Sequence, residues 1–142
     1  MLKIDYTTTR GRGVFATCFI PEGQIIEDAP VIVIPPEQMS LIKGTVLFEY
    51  YFRWKLNGQD TCAICLGNGS IYNHSSQHAN AHYIRRYEAH SIRFIAARDI
   101  HPGEEIMTNY NGDVDCRRPL WFEDSPQTTS NQILSVRSTR AF

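Results

Sequence analysis

The chain has 142 residues, with 42% hydrophobic and 20% charged residues and a formal net charge of −1. That length suits one domain with a real core and is short for two large ones. The near-neutral balance excludes a global basic field, so no direct nucleic-acid partner is expected.

In chain order, Val14-Phe15-Ala16 follows Gly11-Arg12-Gly13 and reads as a short strand. Pro21-Glu22-Gly23 is turn chemistry. Gln24 to Asp28 and Val31 to Ile34 are β-branched runs broken by Pro30, which suggests two short strands joined at a corner. The stretch TVLFEYYFRWKL, from Thr45 to Leu56, shows neither strict alternation nor a narrow helical stripe. A buried helix or strand fits it, with helix the preferred reading, ended by Asn57-Gly58. Thr61 to Leu66 is strand-like. Ser91 to Arg98 sets Ile92, Phe94 and Ala96 against Ser91, Arg93 and Ile95, the pattern of a strand with one buried face. His101-Pro102-Gly103-Glu104 is a second turn, and Glu105 to Tyr110 reads as a further strand. Residues 125–142 are polar and aperiodic and read as a mobile tail. The fold class is therefore β-rich, mainly strand with short helices, in several small sheets. Phe19–Ile26 and Asp99–Ile106 have the same build, a proline-glycine turn entering a strand.

No apolar run reaches the ~18 residues of a membrane helix, and MLKIDYTTTR lacks the apolar core of a signal peptide. No membrane partner and a cytoplasmic location are expected. Cys18, Cys62, Cys65 and Cys116 are irregularly spread, which suits reduced thiols. His74, His78 and His82 fall at steps of four, the spacing of a helical metal site. Asn73, Ser75, Ser76 and Asn80 among them prefer turns, and no glutamate stands between the histidines to act as a base, so no metal is expected. Cys62-Ala63-Ile64-Cys65 lacks a second ligand pair and reads as buried structural thiols. Gly11-Arg12-Gly13 alone is only a turn.

Taken together, GRGVFA at 11–16, Asn73-His74-Ser75 with Asn80, and GEEIMTNY at 103–110 resemble, in that order, the SET domain of protein-lysine methyltransferases. The compact length is similar to minimal viral and bacterial SET proteins. The resemblance implies a SET fold in which the tyrosine segment threads past the Asn-His-Ser segment in a pseudoknot. It implies residues 1–112 as the SET domain, 113–124 as a segment closing the site and 125–142 as the tail. It also implies methyl transfer from S-adenosylmethionine, leaving S-adenosylhomocysteine, to a lysine of a protein or peptide, with a histone as one substrate and chromatin then as the place of action. The minimal viral relatives are dimers, which implies a homodimer.

By that resemblance Tyr110 is the catalytic tyrosine, and Tyr51, with Tyr50 as the alternative, is the aromatic of a second motif. Arg12, Gly13, Asn73, His74 and Tyr110 approach the donor, Asn73 by its side chain and His74 largely through its backbone. Tyr83 lines the lysine channel, and Trp121, with Phe122 as the alternative, stacks on the adenine. This sequence departs from the family pattern at Asn111, with Gly112 one position late for the usual Tyr-Gly, and in three further ways. Ser76 stands at a cysteine position, the Gln77–Asn80 stretch is one residue longer and lacks proline, and the post-SET cysteine cluster is absent. The competing reading is a catalytically inactive SET-like module that binds a peptide or partner.

Overall fold

The computed structural model describes residues 1–110, which hold nine strands. They are β1 (Leu2–Tyr6), β2 (Arg12–Ala16), β3 (Ile25–Ile34), β4 (Tyr51–Leu56), β5 (Gln59–Cys65), β6 (Asn73–His74), β7 (Ala81–Arg86), β8 (Ser91–Ala96) and β9 (Glu105–Thr108). Single turns of helix at Pro36–Gln38, Met39–Ile42 and Val46–Glu49 separate β3 from β4. The segments 113–124 and 125–142, with Trp121 and Phe122, lie outside the described residues.

The strands form small sheets linked by shared members. The first, β1-β2-β9, is antiparallel throughout. A second joins β3, β8, β7 and β9 and takes in the two-residue β6, and a third is β3-β5-β4. Strand β3 belongs to both of the latter. Its first half pairs with β8 as far as Pro30 opposite Ser91, and its second half pairs with β5 from Val31 opposite Cys65. Proline has no N–H to give to a ladder, so the strand changes partner where one donor is missing. The two short strands expected at a corner are thus one strand with a handover at Pro30.

The helix expected across Thr45–Leu56 is not formed as such. Only Val46–Glu49 is helical, a 3-10 turn, and Tyr51–Leu56 is strand β4. Asn57 and Gly58 take positive φ, 49° and 77°, the conformation of a two-residue hairpin turn. They fold β4 onto β5, pairing Leu56 with Gln59 and Trp54 with Thr61. Phe52 and Trp54 are buried, whereas Arg53 and Lys55 are exposed.

The core gathers Val14, Ile20, Ala29, Ile92, Phe94, Ile100 and Ile106, each with 0% exposure. Phe94 of β8 is its aromatic hub, with ring centroids of Tyr72, Tyr83 and Phe52 at 4.5, 6.0 and 6.3 Å. The two similar turn segments meet: Ile20 and Ile100 exchange main-chain hydrogen bonds of 2.9 Å in each direction.

Candidate active site

Strand β9 brings the site together. It lies between β2 on one side and β6 and β7 on the other, running parallel to the last two. The loop after β6 leaves β9 where Ser75 N–H donates to the Thr108 carbonyl, at 3.1 Å. It returns where Asn80 N–H donates to the Met107 carbonyl, also at 3.1 Å. The Asn80 side chain completes the fastening: Nδ2 donates to the Glu105 carbonyl and Oδ1 accepts Met107 N–H, both at 2.9 Å. An amide matches a peptide edge in donor and acceptor, so this buried residue substitutes for a missing strand partner. The Tyr110 segment thereby runs past the Asn73–Asn80 loop, the crossing that the resemblance implied.

Asn73 reaches back across β9. Its Nδ2 donates to the Arg12 carbonyl at 2.9 Å and to Glu105 Oε1 at 2.8 Å. Gly13 is a glycine for the sake of this contact. A Cβ there would lie 2.5 Å from Glu105 Oε1 and 3.1 Å from Asn73 Nδ2. Just upstream, Gly11 has φ +71°, and Thr7 builds the turn by donating to its carbonyl from both main chain and hydroxyl.

His74 is 5% exposed, and its ring does more than the backbone role expected of it. Nδ1 accepts the main-chain N–H of Tyr110 at 2.8 Å, and the two ring centroids are 4.9 Å apart. An accepting Nδ1 leaves Nε2 as the protonated nitrogen of the neutral imidazole. The His74 carbonyl accepts from Arg10 Nη1 at 3.0 Å.

The Tyr110 hydroxyl donates to the main-chain carbonyl of Tyr72 at 2.8 Å. With its proton committed there, the oxygen keeps lone pairs to accept from another group. The Tyr72 side chain is buried and donates to Glu27 Oε2 at 2.8 Å. Burial first, and the Glu27 carboxylate next, push its ionisation far above the usual phenol range, so Tyr72 is a neutral donor.

Of the residues expected in the site, Arg12, Gly13, Asn73, His74 and Tyr110 converge. Tyr83 lies on β7, its ring edge-on to Phe52 at 5.3 Å and linked through Phe94 to Tyr72. Tyr51 is buried on β4 against Phe48, at 5.0 Å, and the Tyr50 carbonyl accepts from the Ser70 hydroxyl at 2.9 Å. Arg10, Glu27, Tyr72 and Glu105 were not anticipated as parts of the site. Four carboxylates around the site are engaged within the molecule. Glu27 holds Tyr72, Glu105 holds Asn73, Asp28 meets Arg86 and Arg93, and Glu104 meets Arg98.

His74, His78 and His82 fall on β6, a loop and β7, with no common helix. Among the described residues no group of three His, Cys, Asp or Glu is placed to hold a metal. Cys62 and Cys65 are buried, and burial pushes the Cys62 thiol up to about 11, so it stays neutral.

The set fits the expected methyl donor in its chemistry. The Tyr110 oxygen, its proton given to the Tyr72 carbonyl at 2.8 Å, keeps lone pairs that would accept from the polarised C–H bonds of a methyl on a positive sulfur. The Arg10 guanidinium beside His74 matches the donor's carboxylate.

The comparisons agree with this geometry. The sequence model of the SET domain matches residues 11–111. The chain is 35% identical over 130 residues to a Schizosaccharomyces pombe histone-lysine N-methyltransferase described as H3 lysine-37 specific, covering 91% of this chain and 82% of that one. Its fold is similar to the crystal structure of a Plasmodium falciparum protein described as a histone methyltransferase, at 25% identity and a TM-score of 0.61, covering 77% of this chain and 91% of that one. It is also similar to the methyltransferase domain of human histone-lysine N-methyltransferase SETMAR, at 20% identity and a TM-score of 0.64, covering 78% of this chain and 44% of that one. This last likeness supports the fold alone. The chain belongs to the SET-domain family of protein-lysine methyltransferases.

Proposed function

We propose that this protein methylates a lysine of histone H3 with S-adenosylmethionine as donor, and that Tyr110 is the catalytic tyrosine. The observation that carries the reading is the setting of Tyr110. Its main chain is held by His74 Nδ1 and its hydroxyl proton is held by the Tyr72 carbonyl. Identity to the H3-specific yeast relative supports the choice of substrate.

The donor supplies a methyl on a sulfonium, already activated for displacement by an amine. What remains for the protein is placement and protonation state. Tyr110 Oη, fixed at both ends, directs its lone pairs at the meeting point of amine and methyl, so its role is positional and electrostatic. Free lysine has a pKa of about 10.4, and a dry channel beside a cation favours the neutral amine through burial and like-charge repulsion. Tyr83, joined through Phe94 to Tyr72, is an aromatic wall for such a channel. Arg12 and Gly13 of β2, with Asn73 and His74 of β6, form the donor-facing surface, and Arg10 adds a positive charge there. The reading extends to a homodimer of two 16.3 kDa chains.

The test is label transfer from S-adenosylmethionine to purified core histones, with the modified lysine mapped by mass spectrometry. Label on H3 is expected. Label on other histones only contradicts the choice of substrate. An absence of both transfer and donor binding by calorimetry overturns the enzymatic reading. Light scattering decides the homodimer: a single-chain mass removes it.

A further inference from the structure

The geometry points to Glu27 as a positioning residue for methyl transfer, acting through Tyr72 on the hydroxyl of Tyr110. The inference rests on the proposed methyltransferase reading and deepens it.

Glu27 lies on β3, outside every motif of the site. Both of its carboxylate oxygens fasten the loop between β5 and β6. Oε1 accepts Asn68 N–H at 3.0 Å and Oε2 accepts the Tyr72 hydroxyl at 2.8 Å. The loop is shaped around this carboxylate. Gly67 takes φ +62°, and a Cβ on it would overlap Glu27 Oε1. At the far end of the loop the Tyr72 carbonyl accepts the Tyr110 hydroxyl at 2.8 Å. One residue therefore holds both ends of the segment that delivers this carbonyl.

The Tyr72 ring needs no acid in order to pack, since Phe94 lies 4.5 Å from it. What the carboxylate adds is a charge-assisted hydrogen bond that fixes the ring along its long axis. The carbonyl belongs to the same residue, so a ring free to slide lets the carbonyl drift. The Tyr110 oxygen then loses its aim. Displacements near 1 Å at a reacting centre cost up to about a hundredfold in rate.

The experiment uses the full chain, labelled S-adenosylmethionine and core histones under single-turnover conditions. Donor binding is titrated by calorimetry, so that rates are expressed per folded site. Tyr72→Phe and Glu27→Ala are expected to slow transfer about tenfold at saturating donor, with donor affinity unchanged. Glu27→Gln, which keeps a hydrogen-bonding group for the hydroxyl, is expected to recover most of that loss. In a Tyr110→Phe background, where the hydroxyl is already gone, Tyr72→Phe is expected to cause no further loss. An equal loss in both backgrounds overturns the inference, because a structural defect does not depend on the Tyr110 hydroxyl. Wild-type rates in the Glu27 and Tyr72 variants overturn it alone. Absence of transfer by the wild type overturns the proposed function, and this inference with it.

Discussion

The imidazole Nδ1 of His74 accepts the main-chain N–H of Tyr110 at 2.8 Å, across 36 residues of sequence. The histidine thus fixes the tyrosine's backbone, while the Tyr72 carbonyl fixes its hydroxyl. A side chain held at both ends needs no reorganisation when charge shifts nearby.

Replacing His74 with alanine removes the first of these anchors and leaves the fastening by Asn80 in place. The expected result is a folded protein whose kcat is lowered roughly ten- to a hundredfold. Circular dichroism and single-turnover transfer, measured on the same preparation, check both halves of this statement.

Asn80 carries the crossing of chains. Asn80→Ala strips partners from the Glu105 carbonyl and the Met107 N–H inside the molecule. Leaving such groups buried and unpaired costs roughly 2–4 kcal/mol in all. Urea denaturation of this variant is expected to show a matching fall in unfolding free energy, larger than that of Ala replacements at the exposed Asp60 or Lys55.

Among the described residues the cysteines separate by environment. Cys18 is exposed, whereas Cys62 and Cys65 are buried and the Cys62 thiol is pushed up to about 11. Thiolate is the reactive form. Brief treatment of the native protein with iodoacetamide near neutral pH is expected to label Cys18 and spare Cys62 and Cys65. Peptide mapping reads this out, and labelling of all three should appear only in denaturant.

Asp28 sets a pH dependence of stability. The hydrogen bond from Arg93 does most to hold its carboxyl below the ordinary carboxylate range; burial opposes this, and Arg86 adds to the lowering. A group whose folded pKa is depressed contributes stability above its unfolded value, about 3.9 for Asp. That contribution disappears as pH falls through the lower folded value. The urea midpoint of the wild type is expected to fall through this acid window, and that of Asp28→Asn to fall less steeply.

Much of the fold can be read where side chains alternate. Ile92, Phe94 and Ala96 announce β8, and they are buried to within 1%. Alternation was hidden in β4, because Tyr51 and Phe52 are both buried at its start. The following Asn57-Gly58 suits a helix end and a hairpin turn alike, and only their positive φ decides between them. Strand β1 has no pattern to read: Lys3 to Tyr6 are exposed, and the strand exists by its pairing with β2.

In the site, Arg12, Gly13, Asn73, His74 and Tyr110 announce themselves by motif. Their partners do not, because they depend on chain crossings. Glu105 meets Asn73 only once β9 lies beside β6. Glu27 sits in a β-branched run with no local hint that both its oxygens face a distant loop. Gly13, expected to approach the donor, also leaves room for the Glu105 carboxylate packed against it.

The most direct measurement is methyl transfer from labelled S-adenosylmethionine to core histones by wild type and Tyr110→Phe, with donor binding followed by calorimetry. The account predicts label on H3 with the wild type, a loss of roughly a hundredfold or more in the variant, and similar donor affinity in both. Equal transfer by wild type and Tyr110→Phe would contradict it.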